Sequence, residues 1–161
     1  MTQDTANVNT YLRTKVLTST PEELRLLLLD GAMKFARQGR AAMEAKDIQG
    51  TFSGFSQCRN IVMELINSVR PEIDPDLAKR VTSLYTFIYS RILTASMEKN
   101  FGAADEAIKL LEYERETWVM LMDKLAIERA AAMAVRTSVG GRPAAAVAVP
   151  AASDRVPLSI E

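Results

Sequence analysis

Glu112, Glu114 and Glu116 alternate along one charged stretch, and paired carboxylates are the raw material of acid–base chemistry in a chain without histidine. No histidine occurs among the 161 residues. This removes the side chain that titrates nearest neutrality and the commonest metal ligand. It also excludes the Glu-x-x-His di-metal sites of helical bundles. An enzyme would have to work with carboxylates, lysine or tyrosine, and the three glutamates read as a solvated face. Gly140 and Gly141 do not form a phosphate-binding G-x-x-x-x-G-K-[ST] loop. Cys58, the single cysteine, falls inside an apolar stripe and reads as core packing rather than a nucleophile. It cannot form an intramolecular disulfide, which fits a reducing cytoplasm. No catalytic site, cofactor or metal is expected.

What remains is the chemistry of apolar contact. Residues Thr18–Ala36 read TSTPEELRLLLLDGAMKFA. At 100° per residue their apolar side chains fall into two groups. Leu24, Leu27, Leu28, Gly31 and Phe35 make one stripe. Leu26, Leu29, Met33 and Ala36 make a second on roughly the opposite side. An outer helix of a small bundle needs one apolar face, so the other requires a cover, unless an irregular bundle buries both. Fully burying a leucine or methionine stabilises by ~1.5–3 kcal/mol, and an uncovered apolar patch marks an interaction site. Phe87, Tyr89 and Leu93 form a second surplus; Tyr113, Met120 and Ile127 form a third. The N-terminal arm, a second copy, or a segment of another protein could supply the cover.

Four helices position these faces. Thr20, Pro21 and Glu23 form a capping box with proline at the first helical position, and the pattern runs to about Ala45. Gly31 and Gly39 within it suit close approach of a neighbour. Asp47 caps the next helix, whose stripe is Ile48, Phe52, Phe55, Cys58, Val62, Leu65, Ile66 and Val69. Pro71 ends it. Asp74–Pro75 starts a third helix with Leu77, Val81, Leu84, Tyr85, Ile88 and Ile92 on one side. After Asn100 and Gly102, a fourth follows from about Ala103, with a seam of Ala107, Leu110, Leu111, Trp118, Leu121, Met122 and Leu125. Glu114 lies inside that seam, where a lone carboxylate either finds a partner or snorkels outward as a boundary residue. The short connections predict an all-α, antiparallel up-down four-helix bundle over residues 18–128. Residues 1–17 read as a frayed terminus or an arm lying on the domain through Tyr11 and Leu12. Residues 129–161 read as an Ala/Pro-rich low-complexity tail, disordered beyond Thr137.

Lysine plus arginine and aspartate plus glutamate each number 20, so no nucleic acid partner is expected. No signal peptide or membrane-spanning run is visible, which predicts no membrane insertion and a cytoplasmic location.

The order of these pieces resembles one family, the flagellin export chaperones (FliS). Tyr11 is followed by Thr18-Ser19-Thr20-Pro21, by Leu24 and Leu26–Leu29, and by Asp30-Gly31-Ala32. The third helix is similar to the family's through Leu84, Tyr85, Phe87, Ile88 and Arg91; the fourth through Leu110, Leu111, Glu112, Arg115, Glu116 and Trp118. The likeness spans about residues 9–125. Leu29, Glu114 and Ser96 depart from residues common in the family. The resemblance implies a chaperone of flagellar type III export. Such a protein wraps the C-terminal segment of flagellin, blocks premature polymerisation and delivers its client to an export gate component. It also implies that the N-terminal arm fills part of the groove until flagellin arrives. The residues expected to serve that groove and arm are Tyr11, Leu12, Leu26, Leu29, Met33, Phe87, Tyr89, Leu93, Tyr113 and Met120. The alternative is a homo-oligomeric helical adaptor for another protein client, with the second stripe as a homodimer interface.

Overall fold

The computed structural model describes residues 2–140, with side chains from Val8 to Ser138. Among these residues all regular structure is helical: α1 (Thr2–Thr18), α2 (Pro21–Glu44), α3 (Ile48–Asn67), α4 (Pro75–Glu98) and α5 (Phe101–Gly140). The chain divides after Leu125 into two compact units. Of the second unit, residues 126–140 continue in helical conformation, with Met133 and Val135 exposed.

Local chemistry sets the helix boundaries. Thr20 Oγ1 accepts from the Glu23 amide at 3.2 Å while the Glu23 carboxylate accepts from the Thr20 amide at 2.9 Å. Asp47 accepts from Gly50 N–H, Asp74 from Leu77 N–H and the Asn100 side-chain oxygen from Ala103 N–H, at 2.9, 3.0 and 3.0 Å. Each bond satisfies one of the orphan amides of a first turn. Lys46 and Lys99, with φ of 58° and 53°, turn the chain out of α2 and α4 in the left-handed conformation that glycine usually supplies.

Helices α2 to α5 contribute to one core. Leu29 from α2, Phe55 and Leu65 from α3, Tyr85 and Ile92 from α4, and Leu111 from α5 are fully buried within it. The cross-helix contacts fix direction. Asp30–Arg115, Arg37–Glu112 and Arg40–Asp105 pair α2 with α5 at 2.5, 2.5 and 2.7 Å, and one number rises as the other falls, so the two run antiparallel. Tyr85–Glu114 and Arg91–Glu106 set α4 antiparallel to α5 in the same way. The Arg91–Glu106 contact, 2.6 Å from Nε to Oε2, is an ion pair without hydrogen-bond alignment. Exposed ion pairs add only about 0–1 kcal/mol each, so these set register more than stability. The hydrogen bond from Arg40 holds the Asp105 carboxyl below its ordinary range and lifts the guanidinium above its own.

Helices α2 and α3 meet at glycines. A Cβ on Gly54 would lie 2.5 Å from the Gly39 backbone nitrogen, and one on Gly39 would lie 2.8 Å from the Phe55 ring. The close approach expected at Gly39 is there, and Gly54 is its counterpart.

The N-terminal segment differs from both readings of it. It is a helix rather than a frayed end, and Tyr11, Leu12, Val16 and Leu17 are exposed on it rather than laid on the core. No proline or glycine interrupts residues 2–18, so nothing in them stops a helix, but they lack the one-sided apolar pattern that announces one. At the other end, α5 extends through the alanines to Gly140, past the point at Thr137 where disorder was expected. The remainder of that tail, residues 141–161, lies outside the described residues.

Candidate functional site

Both stripes of α2 are used, in an order that corrects the assignment of Leu29 and Met33 to a partner-binding face. Leu29 and Ala36 are 0% exposed and Met33 is 6% exposed, so the second stripe faces the shared core. Leu26 is half-buried at its edge. The first stripe turns toward α3. A Cβ on Gly31 would meet the Ile61 side chain at 3.2 Å, and Phe35 packs against the core. Helix α3 stops at Asn67, and near its end the first stripe becomes a groove wall at Leu24 and Leu28, both half-buried, with Leu28 packed against the core.

A groove of about 580 Å³ opens there. Leu24 and Leu28 form its α2 wall; Val69 and Ile73 come from the α3–α4 connection; Leu77 and Val81 come from α4; Trp118 comes from α5. Ile73 and Leu77 are largely exposed, at 78% and 57%. Two polar side chains at this end are engaged with their neighbours. Trp118 Nε1–H donates to the Glu22 carbonyl at 3.0 Å. The Arg25 guanidinium lies 4.9 Å over the indole and donates to Ser68 Oγ at 3.1 Å. The cation–π contact and the indole bond hold the tryptophan at the groove wall. A site of this kind, mostly apolar, selects apolar side chains.

The remaining expected residues do not converge on it. Phe87 and Leu93 on α4, and Tyr113 and Met120 on α5, are exposed, while Tyr89 is half-buried against the core. Phe87 shares a flank of α4 with Arg91, which reaches Glu106 of α5. Tyr89 and Leu93 lie ~120–160° around the helix from it. Tyr113 and Met120, seven apart, lie on the side of α5 opposite its buried Ala107 and Leu111. These are separate apolar strips rather than one patch. Glu114 finds a partner: Tyr85 Oη–H donates to its carboxylate at 2.9 Å.

Leu24, Leu28, Ile73, Leu77 and Trp118 were not among the residues expected at a site. The sequence places Leu77 on the apolar side of the third helix and Trp118 in the seam of the fourth, because periodicity shows that a position is apolar and not whether its neighbour reaches it. The available signal was the helix stop before Pro71, which leaves the start of α2 without a partner along its first stripe.

Among the described residues no helix is long and apolar enough to cross a membrane. Comparison with known proteins agrees with the pattern of residues. The family described as flagellar protein FliS matches residues 4–125. A flagellar secretion chaperone FliS of Bacillus subtilis is 28% identical over 108 residues, which cover 67% of this chain and 80% of the relative. One from Campylobacter jejuni is 24% identical over 116 residues, 72% of this chain and 91% of the relative. One from Salmonella typhimurium is 24% identical over 117 residues, 70% and 84%. With three quarters of its length matched by that family, the chain is a member of the FliS family of flagellar proteins.

Proposed function

We propose that this protein is a cytoplasmic chaperone of flagellar export that binds the disordered C-terminal segment of flagellin, prevents its premature polymerisation and presents it to the export gate. The observation that carries the reading is the open groove at Leu24, Leu28, Leu77 and Trp118. Its walls are mostly apolar, its Trp118 and Arg25 are held by hydrogen bonds, and it sits on a chain whose relatives are named as flagellar secretion chaperones. A disordered client loses conformational entropy on ordering and needs a long apolar surface in return. The groove supplies a place where one amphipathic turn can anchor, and the strips at Phe87, Leu93, Tyr113 and Met120 extend the surface that a wrapping segment can cover. The antiparallel pairings of α2 with α5 and of α4 with α5 support an up-down four-helix bundle as the frame. Helix α1, with Tyr11 and Leu12 exposed, is the arm of the chaperone. Isothermal calorimetry with the flagellin C-terminal segment tests the reading. Saturable binding with a negative heat-capacity change is expected, and the absence of heat at high micromolar concentration would overturn it.

A further inference from the structure

A second groove lies at the other end of the helical core, ~28 Å along α2 from the first at 1.5 Å per residue. Its volume is about 500 Å³, and Met43, Ile48, Phe52 and Phe101 supply its apolar walls. Ile48 and Phe52 are 76% and 64% exposed although they begin the stripe that α3 otherwise buries. Exposed aromatic and branched side chains gathered around a cleft are the mark of an interaction surface. The rim carries two lysines and one carboxylate. Lys46 and Lys99, which close α2 and α4, stand on it, and neither makes an ion pair among the described residues. The rim carboxylate, Glu44, is taken by Arg40 at 2.9 Å. Arg40 also binds Asp105 and lies 5.1 Å over the Phe101 ring.

From this apolar cleft between two unpaired ammonium groups, we infer that the end of the molecule carrying Phe52, Lys46 and Lys99 docks a protein segment that presents apolar side chains flanked by carboxylates. The apolar walls supply the attraction; the lysines select the sign of the flanking charge. This site is independent of the flagellin reading, since it shares no residue with the groove at Trp118.

The test uses the full chain and a fluorescein-labelled helical peptide with leucines at i, i+3, i+4 and i+7 flanked by glutamates. A second peptide carries lysines in place of the glutamates. Fluorescence anisotropy is expected to show saturable binding of the acidic peptide and weaker binding of the basic one. Phe52→Asp should weaken the acidic peptide by at least about tenfold. Lys46→Glu together with Lys99→Glu should reverse the preference by about fivefold and reduce its salt dependence. Trp118 is the only tryptophan and lies in the other groove, so its emission should stay unchanged on binding. Equal affinity for the two peptides would overturn the inference, as would indifference to Phe52→Asp. A Trp118 response that survives Phe52→Asp would place the peptide in the first groove instead. Sedimentation showing a dimer abolished by Phe52→Asp would assign the cleft to a second copy of the chain and also overturn it. None of these outcomes bears on flagellin binding, which calorimetry reads separately.

Discussion

The phenol of Tyr85 on α4 donates a 2.9 Å hydrogen bond to the Glu114 carboxylate on α5. Tyr85 is wholly buried, and Glu114 interrupts an otherwise apolar seam. Burial first, and then the adjacent carboxylate, push the phenol ionisation well above its ordinary range, so the tyrosine stays a donor throughout the physiological range. Tyr85→Phe leaves the carboxylate without that donor and should cost about 1–2 kcal/mol in urea unfolding. Combining it with Glu114→Leu should recover most of the loss, because an apolar pair carries no desolvation penalty. Simply additive losses would show that the two side chains are not coupled.

Leu28 and Leu29 are neighbours in sequence; Leu29 is wholly buried, whereas Leu28 is half-buried and also lines the groove. Leu29→Ala should cost about 2–5 kcal/mol, as deletions in a packed core do, and Leu29→Asp should abolish the cooperative thermal transition. Leu28→Asp should keep that transition and weaken flagellin binding by about tenfold. Circular dichroism melts beside calorimetry separate the two effects; equal melting temperatures for both aspartate variants would contradict the burial.

Gly54 faces the backbone of Gly39 rather than a side chain that could swing aside. Gly54→Ala therefore has to move α3 away from α2, and a loss of about 1–3 kcal/mol is expected. The usual gain from replacing a helical glycine, up to about 1 kcal/mol, should be outweighed. A stabilised Gly54→Ala protein would show that the helices can part at this crossing without cost.

Cys58 is buried, and desolvation pushes its thiol up to about 12. The native protein at pH 8 should resist a thiol-specific reagent and react only after unfolding. The linkage has a definite sign. The unfolded thiol ionises near 9 and the folded one does not until about 12, so stability should fall between those values as pH rises. Cys58→Ala should remove that slope. Rapid labelling of the native protein would place Cys58 in a cleft open to solvent.

The sequence by itself determined where α2, α3 and α4 begin, because caps are local chemistry. Thr20–Glu23, Asp47 and Asp74 bond to amides three residues away and need no partner helix. It also determined that α2 has an apolar side too many, since the identities and spacing of Leu24 to Ala36 are independent of any neighbour. The helix at residues 2–18 escaped that reading because its few apolar residues mark no inner face. Only the tertiary structure decided which stripe of α2 faces inward, which carboxylate Tyr85 holds, and where the groove opens. Those depend on where a neighbouring helix stops. Helix α3 ends at Asn67, so it covers Gly31 while Leu24, near that end, stands in the groove wall. A 100° periodicity gives the direction of a side chain around its own axis and carries no information about the length of the helix packed against it.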